Sequence, residues 1–136
     1  MAVYLANTGI LTVNAVDLSS LTSSVTINRA FDELEVTSLG DQGHRYVKGL
    51  EASSITIDFF NDSATAKTLQ TLQTNWGNNV VVTFKQLDAV VSATNPLYTM
   101  TCLINNTTPV NGAVADLSTQ SVTWNVSGTI AVTTAP

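Results

Sequence analysis

The sequence predicts a mainly β domain, an antiparallel β-sandwich or partial barrel with one flanking α-helix. Apolar and polar residues alternate at a two-residue period in six or more separate segments, which is the pattern of strands with one buried face. A single stretch switches to helical spacing. The length of 136 residues suits one domain, spanning 1–136, with one sizeable core.

At the front, Val3, Ile10, Val13 and Val16 predict one or two weak strands. Val25 and Ile27 then alternate with Ser24, Thr26 and Asn28, and Leu34 and Val36 with Glu33, Glu35 and Thr37. The same period returns at Ile55, Ile57 and Phe59, and at Val80, Val82 and Phe84. It recurs at Tyr98, Met100, Cys102 and Ile104, and at Val122, Trp124 and Val126, with Ile130 and Val132 as an extension. Between the third and fourth of these segments, Ala66, Leu69, Leu72 and Trp76 fall at helical spacing. Asp62 or Ser63 is the expected cap at the start, and Gly77 the left-handed residue at the end. Four threonines within 65–74 weaken that helix, so it needs docking of Leu69, Leu72 and Trp76 on a sheet. Two connections are long: Leu39 to Leu50, which holds three glycines, and Asn105 to Ser118. Loops of this size in a compact domain usually carry function. Thr133 to Pro136 reads as a frayed tail.

Charged residues make up 11% of the chain, against about 25% in typical soluble domains, while 44% are apolar. A free monomer normally covers itself with mixed charge, so this composition points to a surface buried in an assembly. Ten acids against five bases give a net charge of -5, the wrong sign for holding nucleic-acid phosphate. No apolar run reaches the roughly 20 residues that span a bilayer. Met1 to Asn7 lacks the basic n-region of a signal peptide, so a cytoplasmic site of synthesis is expected. On that route the sequons at Asn61, Asn106 and Asn125 stay unmodified.

Candidate chemistry is sparse. His44 is the only histidine and lies three residues from Asp41 in a glycine-flanked loop, but no G-x-S-x-G elbow supplies a nucleophile, so it reads as a loop histidine. Cys102 shares an apolar strand face with Met100 and Ile104 and reads as core. One histidine and one cysteine do not make a zinc site. Glu33 and Glu35 lie on one side of a strand, with Asp32 and Asp58 as possible neighbours. They read either as a solvated face or as carboxylates for glycoside hydrolysis or calcium. Trp76 and Trp124 fall on apolar stripes and read as core rather than as sugar-stacking platforms. No cofactor and no enzymatic activity are expected.

Several blocks, in this order, resemble the major tail tube protein of long-tailed, siphovirus-type bacteriophages. The first is Asp32-Glu33-Leu34-Glu35-Val36-Thr37, then Gly40-Asp41-Gln42-Gly43-His44-Arg45 and Gly49-Leu50-Glu51-Ala52-Ser53-Ser54-Ile55. Ser92-Ala93-Thr94-Asn95-Pro96-Leu97-Tyr98 is the second. Val110-Asn111-Gly112, followed by Asp116 to Trp124 and Ser127-Gly128, is the third. The resemblance implies a tail-tube-like subunit, six of which form a ring whose inner strands join into a β-barrel. Stacked rings would make a hollow conduit for DNA ejection, in the virion tail after assembly in the host cytoplasm. Other tail proteins, the tape measure, terminator and distal tail proteins, are the implied partners. The long loop, with Gly40, Asp41, Gly43, His44, Arg45 and Lys48, would contact an adjacent subunit or ring. The chain ends near Pro136, so the extra surface domain of longer relatives is expected to be missing. An acidic lining suits a channel that must not grip phosphate, and Glu33 and Glu35 are the residues assigned to it. The rival readings are another ring-forming tail component, such as a terminator or a sheath-enclosed tube protein, and a monomeric carbohydrate-binding β-sandwich.

Overall fold

The computed structural model describes residues 8–136, so the weak strand expected at Val3 lies outside the described residues. Among the described residues ten strands form three antiparallel sheets. The strands are β1 (Ile10–Val13), β2 (Val16–Asp17), β3 (Thr22–Asn28), β4 (Phe31–Glu35), β5 (Tyr46–Glu51), β6 (Ser54–Phe60), β7 (Asn79–Lys85), β8 (Leu97–Leu103), β9 (Thr119–Asn125) and β10 (Ala131–Thr133). One sheet has the order β10-β8-β7-β1-β2, a second β3-β6-β9, and the third is the pair β4-β5.

The first two sheets pack face to face because their alternating apolar residues share one core. Leu11, Val13, Val80, Val82, Met100 and Cys102 come from one side, and Ile55, Ile57, Phe59, Val122 and Trp124 from the other. Trp124 is fully buried against Phe59, with ring centroids 6.3 Å apart, and its indole N–H donates to the Asn106 carbonyl at 3.2 Å. Burial pushes the Cys102 thiol up to about 11. The sandwich is closed at one corner, where a bridge joins Cys102 to Val126 and Ser127 N donates to the Thr101 carbonyl. Among the described residues the opposite side is open. There a groove of about 450 Å³, lined by Gly9, Leu11, Thr22, Val25, Phe84 and Gln86 among others, separates β3 from β7. A second hollow of about 220 Å³ extends it past Ile27, Arg29 and Tyr98. This is the sandwich or partial barrel expected from the alternation.

The helix α1 (Thr68–Thr74) departs from its expected bounds. Ala66 has φ +60° and stands outside it, and the N-cap is Lys67 rather than Asp62 or Ser63. Asp62 still helps, because its carboxylate accepts from Ala64 N and its carbonyl from Leu69 N. The buried face is Thr68, Thr71 and Leu72. Threonine is tolerated there because the Thr68 hydroxyl donates to the Phe60 carbonyl at 2.9 Å. Trp76 falls past the helix end and is 48% exposed, so its assignment to the core is corrected. Gly77 has the expected left-handed conformation, at φ +78°, but it lies three residues past the end of the helix, whose C-cap is Asn75, and donates to the Ile104 carbonyl at 2.9 Å.

Candidate assembly surface

The pairing of β3 with β6 continues into β4 and β5. Asn28 faces Ser54, and three residues further along each strand Phe31 faces Glu51, so the ladder resumes without slip after a pause at residues 29–30 and 52–53. One backbone bond, Ala52 N to the Ala30 carbonyl at 2.7 Å, spans that pause. The result is one long hairpin whose base is core sheet and whose outer half is a separate ribbon. Five to six residues at about 3.3 Å each carry the ribbon roughly 17–20 Å before its tip. Every residue of β4 is exposed. The accessible surface of 8475 Å² exceeds the roughly 6,800 Å² of a compact 14.4 kDa monomer, with the ribbon and the exposed 105–118 connection both contributing.

The expected loop from Leu39 to Leu50 is therefore shorter than its sequence suggests, since β5 begins at Tyr46. Lys48 is a strand residue facing Glu33 across the ladder, not a loop residue. Gly49 stands in that strand because Asp32 crowds it: a Cβ there would lie 3.0 Å from Asp32 Cβ and 3.1 Å from its carbonyl oxygen. The register shifts beside it, where three residues of β5 span two of β4. Gly40 and Gly43 lie in the tip, where a Cβ would meet nothing.

The tip is ordered by Asp41. Its carboxylate accepts from Ser38 N at 2.8 Å and from the Ser38 hydroxyl at 3.1 Å, and Arg45 Nη1 approaches it at 3.4 Å. His44 does not pair with Asp41. Its Nδ1 lies 3.4 Å from Glu35 Oε2, and its ring lies 6.3 Å from that of Tyr46. All these groups are close to solvent, so the pairs fix geometry more than they add stability.

Strand alternation gives the ribbon two unlike faces. Phe31, Glu33, Glu35, Tyr46 and Lys48 share one, where the Lys48 ammonium sits 4.8 Å from the centre of the Phe31 ring. Leu34 and Val47, directly paired on the other, are half exposed, and Asp32 belongs with them. Glu33 and Glu35 are thus gathered as expected, but Asp32 points to the far side. Asp58 is on β6, opposite Ser24 and Ser121. Among the described residues no three His, Cys, Asp or Glu side chains gather as a metal site, and no helix is long and apolar enough to cross a membrane.

The two outer edges of the three-stranded sheet differ. Along β9 the 105–118 connection lays side-chain amides on backbone carbonyls: Asn111 Nδ2 donates to Thr119 O at 2.9 Å and Asn106 Nδ2 to Thr123 O at 3.0 Å. Gln120 knits the same strap by accepting from the Thr107 hydroxyl and Thr108 N. Along β3, among the described residues, no element pairs with the side away from β6. An unpaired strand beside a groove holding half-buried Val25, Ile27, Phe84 and Tyr98 is a surface ready to accept another strand.

The chain matches no family model and no curated protein sequence. Its surface must therefore be read from its own geometry. A two-stranded ribbon is marginal in water unless something packs on it. Here it carries exposed Phe31, Leu34, Val36, Tyr46, Val47 and Leu50.

Proposed function

We propose that this protein is a structural subunit of a bacteriophage tail tube. It assembles with copies of itself into stacked hexameric rings and passes DNA passively through the bore. The observation that carries this reading is the projecting β4–β5 ribbon, whose apolar side chains find no cover within the described chain. The open β3 edge and the sparse charge support it, since both are hazards in a solitary molecule and useful in a polymer. Gly40, Asp41, Gly43, His44 and Arg45 at the tip, with Lys48 behind them, reach the neighbouring subunit or ring. Glu33 and Glu35 line the channel and discourage phosphate contact.

Negative-stain microscopy of the purified protein at rising concentration, beside tails isolated from virions, tests the reading. Stacked rings are expected. Protein that stays monomeric and is missing from tails overturns it. The lining assignment has a separate test. The outward face of the three-stranded sheet carries Ser24, Thr26, Thr56, Ser121 and Thr123 with the acid Asp58, whereas Glu33 and Glu35 continue the alternation of Val25 and Ile27. Glu33→Lys with Glu35→Lys should slow genome ejection from intact tails. If Asp58→Lys slows it instead, the other face lines the bore.

The half-exposed Trp76 favours a second reading, a glycan-binding monomer. A glycan array and sedimentation separate the two.

A further inference from the structure

We infer that Asn111 is a site of spontaneous, succinimide-forming deamidation, and that the reaction removes a cap from the β9 edge. Asn111 is the only asparagine in the chain followed by glycine. It lies exposed in the irregular 105–118 connection, outside every strand and helix. The Gly112 N–H takes part in no hydrogen bond among the described residues, so nothing withholds that nitrogen. Glycine also presents no Cβ to obstruct its approach to the neighbouring side chain.

The chemistry balances with solvent water alone. The deprotonated Gly112 nitrogen attacks Asn111 Cγ and forms the new N–C bond of a five-membered ring. The Cγ–Nδ2 bond then breaks and ammonia leaves. Water adds to one ring carbonyl and the bond from that carbon to the Gly112 nitrogen breaks: cleavage at Cγ gives aspartate, and cleavage at the main-chain carbonyl gives isoaspartate, with the backbone rerouted through the side chain. Other asparagines are held back in distinct ways. Asn95 precedes a proline and is buried with its amide on the Leu87, Ala89 and Val90 carbonyls. Asn75 is buried and precedes the bulky Trp76, whereas Asn111, whose amide also reaches a carbonyl, is open to solvent and precedes glycine. Asn125 and Asn79 lie in strands and precede valine.

The consequence follows from what the amide does. Asn111 Nδ2 is a donor to the Thr119 carbonyl at 2.9 Å. Its replacement is an oxygen that only accepts and carries negative charge, so it is repelled from that carbonyl. The strap loosens beside the first residue of β9, and that edge becomes available for pairing as β3 already is.

The test incubates the purified folded protein at mildly alkaline pH and body temperature, with peptide mapping by mass spectrometry and enzymatic methylation of isoaspartate over time. The peptide containing Asn111 should convert several-fold faster than any other asparagine-containing peptide, with isoaspartate among the products. Gly112→Ala and Asn111→Gln should slow it several-fold. Equal rates across the chain, or an unaltered rate in Gly112→Ala, overturn the site. Asn111→Asp supplies the edge test without waiting for chemistry. Sedimentation should show this variant self-associating at several-fold lower concentration than fresh wild type, and equal or weaker association overturns the loss of the cap. Peptide mapping reads the reaction whether or not the protein builds a tube.

Discussion

Replacing Leu34 and Val47 together by threonine tests the ribbon face as a contact surface. The two are cross-strand partners, 52% and 48% exposed. Fully burying such a side chain stabilises by roughly 1.5–3 kcal/mol, so the half still open to water offers about 1 kcal/mol each. The pair then contributes ~2 kcal/mol to every subunit contact that covers it, a factor of roughly 30 in the concentration needed for assembly. In the free chain the substitution removes one cross-strand apolar pair, about 0.2–1 kcal/mol, and keeps a good strand former at both positions. The melting temperature should fall by no more than about 4 °C. A pelleting titration measures the critical concentration and a thermal melt of the dilute protein measures the fold. Assembly at unaltered concentration refutes the reasoning. So does a melting temperature that collapses, because the ribbon would then be part of the core.

Three other outcomes follow from the structure. Trp124→Ala, at the centre of the core beneath Phe59, should cost about 3–5 kcal/mol in a denaturant titration, with the Asn106 carbonyl left without its indole partner. Asn95→Ala removes a buried amide that binds the Leu87 N–H and three carbonyls, and the same titration should lose about 1–3 kcal/mol. Glu51 accepts from the Ser53 hydroxyl and from Ile130 N, which hold its carboxyl below the ordinary value. A depressed carboxylate stabilises the fold above its unfolded pKa and loses that contribution as pH falls through the folded one. Thermal melts below about pH 4.5 should therefore fall more steeply for wild type than for Glu51→Gln.

Strands with strict alternation were legible because one buried face leaves a period of two: Ile55 to Phe59 and Val122 to Trp124 sit in the core as the pattern requires. The outer ribbon was half legible. Leu34 and the glutamates mark β4, but β5 reads as Tyr-Val-Lys-Gly-Leu-Glu, with a glycine and a lysine that belong to a bulge and to a pair with Glu33 rather than to a loop. The helix misled at both ends. Its buried face uses Thr68 and Thr71, and the Thr68 hydroxyl is satisfied by the Phe60 carbonyl, so apolar spacing slid the stripe toward Ala66 and Trp76. The tip partners were out of reach because His44 meets Glu35 across the hairpin, and sequence distance favours Asp41. The amide caps of β9 carry no periodic signal at all, since Asn106 and Asn111 act through tertiary placement.

The pause between the two halves of the long hairpin makes a pivot. With a single backbone bond at Ala30 and Ala52, bending concentrates there while each half keeps its own ladder. Glu51, at the foot of the ribbon, is tethered to the amide of Ile130, immediately before β10, the last strand of the opposite sheet. That one bond gives a ribbon swinging about the pivot a point of attachment on the far margin of the sandwich.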